Sequence, residues 1–487
     1  MRLMKKGKAV GYDGIPIEVL EKAGPEAFET LKNMCNEFYR LEKIPEDWQK
    51  GIICPIWKKG DNTICGNYRG ITLLSHASKI YSRILEKRVR GYVENMLGEW
   101  QHGFRPGRST VDLIFTVKMI LEKSWEWGIE KFALFIDMEK AFDRVPRQKM
   151  WQILSNERYK VPAKLVRVIR NTYSQCLSKV RGRNLESDLF SIDTGVRQGD
   201  ILSPLLFVIY MDSCFRDVGV GGHGEETLAY ADDVAVVTDS VIALQEIVNK
   251  WHSGMTRNGM KINTACGKTE FIAVGRRDEQ YDIMMEQEKI GQVAHYKYLG
   301  ANINNRNIQE VEINERIAKY NRNVAILYPL LRDMFVPREC KVTIFNTILK
   351  PVIMYGSEAW SLTTKTESKL QAAEMRVLRL IRGVTRRDRM RNDAIRKELE
   401  VEPLLASIEK GRLRWYGHVM RMSAERCPKK YLLWKPSGKR PVGRPRNRWR
   451  EGVDEALRRR GTSQVAVEEG GIYEDREAWR RLLRLVN

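Results

Sequence analysis

Up to about residue 308, short apolar runs that stop at acidic or glycine-rich punctuation alternate with stretches whose apolar residues recur every three or four positions; beyond it only the second pattern remains. The run 132–136 ends at Asp137, and the runs 228–230 and 234–237 flank Ala231-Asp232-Asp233, which predicts a strand ending in one acid and a tight hairpin with two acids at its tip. Runs at 52–57 and 67–75, joined by a polar, turn-rich link, predict a second hairpin carrying Lys58, Lys59 and Arg69; 261–263 with 268–274 predicts a third. Helical spacing predicts helices over 17–41, over 78–93 with Ile80, Ile84, Leu85 and Val89 on one face, from 203 to about 215, and after the acidic hairpin through Val241, Leu244, Ile247, Val248 and Trp251. Further helices are expected at 311–334, 336–355, 367–381, 395–420 and 476–486. The central order of strand, helix, two hairpin strands, helix, strand is that of a split βαβ unit.

Adjacent carboxylates repel and raise each other's proton affinity, so an Asp232-Asp233 tip between apolar strands is comfortable when a cation neutralises it. A hard ion such as magnesium takes oxygen ligands of this kind; a solvated turn accommodates the same pair, since aspartate is a common turn residue. Asp137 changes the balance. The 232 − 137 = 95 residues between the acids leave room for a crossover helix and further strands, so neighbouring strands can present Asp137 and Asp232 on one face. Three carboxylates on strand ends make a two-metal site for in-line phosphoryl transfer.

The YADD sequence at 230–233 and FIDMEKAFD at 135–143 resemble the palm motifs of reverse transcriptases, in the wording of the non-LTR (LINE-type) retrotransposon branch. GVRQGDILSPLLF at 195–207, GFR at 103–105, HYKYLG at 295–300 and the Lys-Ala-x-Gly-x-Asp-Gly-Ile-Pro segment within 5–16 resemble further motifs of that family, in the same order. The resemblance implies an α+β right-hand polymerase with fingers, a split-βαβ (ferredoxin-like) palm and a helical thumb. The expected division is 1–125 fingers with the N-terminal motif, 126–305 palm, 306–425 thumb and 426–487 a basic C-terminal segment. It also implies an RNA-directed DNA polymerase in which Asp137, Asp232 and Asp233 hold two Mg2+ ions, Mn2+ being an alternative, with an RNA template, a DNA primer or target and a deoxynucleoside triphosphate as partners.

Further roles come from the same resemblance. Lys58 and Arg69 would face the triphosphate, and Arg105, Gln198 and Gly199 the template and nucleotide. Phe142 matches a steric gate that excludes a 2′-hydroxyl, and Lys268 is a candidate to protonate the pyrophosphate. Read without the family, Lys58 and Arg69 are ordinary surface charges, Phe142 a core aromatic and Lys268 an exposed turn lysine. His102 has no metal-ligand companions and reads as structural. Members of the family carry an endonuclease upstream of the N-terminal motif, so the chain resembles the polymerase part alone. The competing expectation is a catalytically inactive remnant that only binds nucleic acid.

Composition sharpens the choice of partner. A formal charge of +22 over 487 residues, with 43% hydrophobic residues, describes a chain with real cores and a surface that meets a polyanion. Arginines at 376, 379, 382, 386, 387, 389 and 391 concentrate that charge, and a Gly443-Arg444-Pro445 core within 439–449 resembles a minor-groove-reading AT-hook. Eight cysteines without a CxxC pair argue against a zinc module or a disulfide framework and for a reducing compartment. With no apolar run of membrane-spanning length and no signal-peptide layout, the expectation is an intracellular protein of nucleus and cytoplasm, not secreted and without a membrane partner.

Overall fold

The computed structural model describes residues 4–183, 185–221, 225–275, 279–438, 440–441 and 448–484. Among them the strands are β1 (Lys50–Trp57), β2 (Tyr68–Leu73), β3 (Lys131–Ile136), β4 (Leu177–Val180), β5 (Phe190–Ser191) and β6 (Glu225–Tyr230). They continue with β7 (Asp233–Thr238), β8 (Glu270–Val274), β9 (Ile283–Met285), β10 (Glu288–Gln292), β11 (His295–Tyr298) and β12 (Ala301–Asn304).

The central sheet has the order β6-β7-β3-β8-β10-β9, and its first four strands pair antiparallel throughout. This is the split-βαβ order that the run of elements predicts. Its strands read as continuous apolar runs because both faces are covered. Phe132, Leu134 and Ile136 point to the helices Ser203–Val218 and Val241–Arg257, whereas Ala133 and Phe135 point to the helix Thr110–Trp127. A second sheet, β2-β1-β4-β5, carries the predicted hairpin of β1 and β2. The β11–β12 ribbon turns tightly through Leu299 and Gly300, both at positive φ.

Several sequence-based boundaries change. Residues 261–263 form no strand pair with 268–274 beyond one hydrogen bond from the Thr269 N–H to the Asn263 carbonyl at 3.1 Å: Ile262 bridges Met138, and β8 joins β3 and β10 instead. The 17–41 stretch is two helices, Ile17–Lys22 and Gly24–Leu41. The 395–420 stretch divides into Asn392–Glu398 and Leu404–Met420, because Pro403 drives Glu402 out of helical backbone and starts the second helix. Between Arg338–Ile344 and Lys350–Met354 the backbone widens into a π-helical turn at Phe345–Leu349, next to Pro351, whose missing N–H cannot bond the carbonyl of Thr347.

Helices from Gln309–Arg332 to the start of Leu404–Met420 enclose a core of their own around Tyr320, Trp360 and Leu378. The expected row of arginines does not share one environment. Arg379 is spent on Asn392 and Arg382 on Glu398, while Arg386, Arg387, Arg389 and Arg391 are exposed between two helices.

The helix Thr110–Trp127 runs across the expected division at residue 125. It lies on the back of the central sheet rather than with β1 and β2, and it is apolar on two sides because its other side, Ile114, Phe115 and Met119, receives the C-terminal residues. The segment after 426 is accordingly built into the fold rather than appended to it. Trp449 is fully buried, its ring edge-on to Phe115 at 4.7 Å and its indole N–H donating to the Glu358 carbonyl at 2.7 Å. Glu122 accepts from the Trp449 amide at 3.0 Å, and the Lys123 ammonium donates to the carbonyls of Leu432 and Trp434. The last helix, Arg476–Arg484, places Trp479 against Tyr416, ring centres 6.1 Å apart. Trp449→Ala is expected to cost about 3–5 kcal/mol of stability, the range for emptying a buried aromatic site, read as a lowered midpoint in chemical denaturation. The Gly443-Arg444-Pro445 core lies outside the described residues.

Candidate active site

Pairing of Ile136 with Val234 sets the end of β3 beside the tip of the β6–β7 hairpin, so Asp137 comes to Asp232 and Asp233. Tyr230 and Asp233 close the hairpin, leaving Ala231 and Asp232 as a two-residue turn, with Ala231 at φ 60°. Alanine in this left-handed conformation costs about 1–2 kcal/mol, strain of the kind that gathers at functional sites.

The carboxylates feel their surroundings and one another. Burial pushes Asp232 above the usual carboxylate range, and Asp137 adds to it; Arg69 and Lys58 oppose the rise. Asp233 faces the cleft solvent but has protein on its other sides. This burial first, then Asp232 and Asp137, push it up to about 6, against the pull of Lys268. A carboxyl raised in the folded state holds a proton that the unfolded chain has already lost, so its contribution to stability is fullest at low pH and falls as pH rises through about 6. Asp233→Asn is therefore expected to stabilise the metal-free protein at pH 8 by about 1 kcal/mol, after allowance for solvent screening, and by less at pH 5. Thermal unfolding of both proteins at the two pH values checks this, and an equal change at both would contradict it.

Asp137 is wrapped from the opposite side. Its carboxylate accepts from Lys268 Nζ and Asn263 Nδ2, both at 3.2 Å, and its backbone N–H donates to Thr269 Oγ1 at 3.2 Å. Tyr296 of β11 stacks on Phe135 at 4.4 Å and donates to the Lys268 carbonyl, tying the β11–β12 ribbon to this wall.

Across the cleft, Gln198 links two elements. Its Oε1 accepts from Arg69 Nε at 3.2 Å, and its Nε2 donates to Asp143 Oδ1 at 2.9 Å. The Gln198 carbonyl accepts from the Thr72 amide of β2 at 2.7 Å, and the next residue, Gly199, has φ 124° and sits so close that a β-carbon would run into the Thr72 carbonyl oxygen. Neither Arg69 nor Lys58 is ion-paired among the described residues, and both fields reach Asp232. Phe142 stacks on Phe207, centroids 4.2 Å apart and planes 16° apart, and meets Phe104 edge-on at 6.4 Å; Phe104 in turn lies 6.3 Å from Tyr230.

Arg105 is corrected. The sequence reading sets it against template and nucleotide, whereas its guanidinium is buried and spent on the Glu94 carboxylate and on the carbonyls of Glu94, Gly98 and Gln101. Its charge is satisfied within the fold, where four of its five N–H donors are already engaged. His102 is buried, and burial pushes its pKa down to about 3, so it is neutral, in line with a structural role. Sequence reasoning missed Asn263 and Gln101 as site residues. Both are short polar links between distant segments, and no periodicity or motif spacing marks them.

Among the described residues, no three carboxylate, imidazole or thiol groups are gathered as tightly as around a bound ion. The donor set nonetheless suits a hard divalent cation: three carboxylates, two of them raised by burial and mutual repulsion, facing a cleft that carries cations on both sides.

An antiparallel split-βαβ sheet with two acids on a hairpin tip and a third on the adjoining strand end defines the palm of a right-hand polymerase. Residues 56–303 match the family described as reverse transcriptase (RNA-dependent DNA polymerase), and the chain belongs to it. It is 28% identical over 436 residues to the probable RNA-directed DNA polymerase from transposon X-element of Drosophila melanogaster, covering 85% of this chain and 46% of that one. To the RNA-directed DNA polymerase from mobile element jockey of the same species it is 25% identical over 418 residues, covering 82% and 44%. The chain thus spans less than half the length of these relatives. Among solved structures it is similar to a Candida tropicalis telomerase in complex with a fragment of telomeric RNA, with a TM-score of 0.41 and 11% identity over 95% of this chain and 68% of that one. Among the described residues no helix is long and apolar enough to cross a membrane.

Proposed function

We propose that the chain is an RNA-directed DNA polymerase of a non-LTR retrotransposon, which extends a DNA primer on an RNA template with deoxynucleoside triphosphates. The observation that carries this reading is the placement of Asp137 beside Asp232 and Asp233 by the β3–β7 pairing. Asp137, Asp232 and Asp233 would hold two magnesium ions, which when bound activate the attacking oxygen and stabilise the leaving one. The residues around them do the rest. Lys58 and Arg69 receive the triphosphate, Arg69 leaving Gln198 to do so. Gln198 and Gly199 form the floor under the templated base pair, Gly199 being held flat on β2. Phe142, backed by Phe207, closes the space that a 2′-hydroxyl would fill. Lys268 releases Asp137 and gives a proton to the departing pyrophosphate. The exposed arginines between 386 and 391 supply phosphate contacts to the duplex.

We place this activity inside the cell, in nucleus and cytoplasm, a reading supported by eight cysteines that are all unpaired. Templated incorporation of a labelled deoxynucleotide into a primer annealed to a ribonucleotide template tests the function. The expected product requires the complementary template base and the deoxy sugar. Incorporation that ignores the template, or uses ribonucleotides equally well, would contradict it.

A further inference from the structure

We propose that Gln101 is a positioning residue for the carboxylate turn, an inference that rests on the polymerase reading of that turn. A two-residue hairpin turn that needs left-handed backbone normally uses glycine or asparagine at that position. Here the residue is Ala231, at φ 60°, and its own β-carbon disfavours that conformation. Something outside the hairpin must hold it.

The Gln101 side chain does so with both ends of its amide. Oε1 accepts from the Ala231 N–H at 2.9 Å, and Nε2 donates to the Ala231 carbonyl at 3.4 Å, so one side chain brackets the residue that precedes Asp232. Gln101 is completely buried, 130 residues from the turn in sequence, and Oε1 also accepts from the Gly103 N–H at 2.9 Å. Because Ala231 is itself buried, removing Gln101 strands the Ala231 N–H.

The segment around Gln101 is fitted to this task. Ala229 N–H donates to the Trp100 carbonyl and His102 N–H to the Ala229 carbonyl, both at 2.8 Å, which lays the segment along β6 as a short parallel bridge. Gly103 lets it approach, since a β-carbon there would run into the Ala231 nitrogen. Arg105 fixes it from behind by donating to the Gln101 carbonyl at 3.1 Å. Contact therefore passes from Arg105 through Gln101 and Ala231 to Asp232. Gln101 touches no reacting atom; it selects the backbone conformer that aims the Asp232 carboxylate.

Glycine adopts left-handed backbone at no steric cost, so glycine at position 231 should make Gln101 dispensable. The test is a double-mutant cycle in the full chain, comparing Gln101→Ala in the wild-type and Ala231→Gly backgrounds. One arm titrates Mn2+ against the protein without nucleic acid, following free ion by electron paramagnetic resonance. The other measures single-turnover incorporation at saturating deoxynucleotide. In the wild-type background, Gln101→Ala is expected to weaken Mn2+ binding about 5-fold and slow incorporation about 10-fold, with half-saturation by deoxynucleotide moved less than about 2-fold. In the Ala231→Gly background each cost should fall below about 2-fold. Equal costs in both backgrounds, no cost in either, or loss of the folded state in both would overturn the inference. A wild-type protein that binds Mn2+ but incorporates nothing contradicts the polymerase reading alone, and the Mn2+ arm still judges Gln101.

Discussion

Asp232→Asn is expected to lower nucleotide incorporation by at least about 1000-fold while leaving primer–template affinity within about 2-fold. Asparagine keeps the size of the side chain and removes its charge. The turn itself should survive, because the hydrogen bonds that hold it go to the Ala231 backbone and not to the Asp232 side chain. On the proposed reading, nucleic-acid affinity rests on a chain of net charge +22 and on the arginines exposed between 386 and 391, and not on the Asp232 carboxylate. Extension kinetics and filter binding on the same preparations separate the two effects. A variant that incorporates as fast as the wild type removes Asp232 from the chemistry.

Phe142→Val is expected to relax sugar selection by about 100-fold, measured as the ratio of kcat/KM for a deoxynucleotide to that for its ribonucleotide. The change should come chiefly from faster ribonucleotide use. Phe142 is stacked face to face on the fully buried Phe207 and flanked by Phe104, so the ring cannot swing aside to admit a larger sugar. Valine leaves the backing in place and removes the part of the ring that faces the cleft. A variant with unchanged discrimination would assign Phe142 to core packing, the reading its residue type suggests on its own.

How far the fold was legible depended on where its information sits. The central sheet was readable because its strands are buried on both faces and stop at acids, and because its helices keep regular apolar spacing. The sheet topology then brings Asp137 to Asp232 without further assumptions. The 261–274 region misled because two short extended stretches flanking a turn look like a hairpin, although each has a better partner in Met138 or β3. The layer of the helix Thr110–Trp127 is not legible in the sequence, because apolar residues on two of its sides record two neighbours without naming them, and one of those neighbours lies more than 300 residues on. Arg105 misled for the opposite reason. A motif locates a residue near a site but does not say whether its charge faces the ligand or the fold, and here it faces the fold. Gln101 stayed silent because its task depends on the φ angle of Ala231, which only coordinates reveal.

The most direct test of the proposed polymerase is primer extension over a poly-ribonucleotide template with magnesium and the complementary deoxynucleotide, run beside filter binding on the same preparation. The expected result is a ladder of extended primers from the wild type and none from Asp232→Asn, with both proteins retaining the template to the same degree. Binding without extension by the wild type would contradict it, and would leave a nucleic-acid-binding remnant that keeps the palm but not its chemistry.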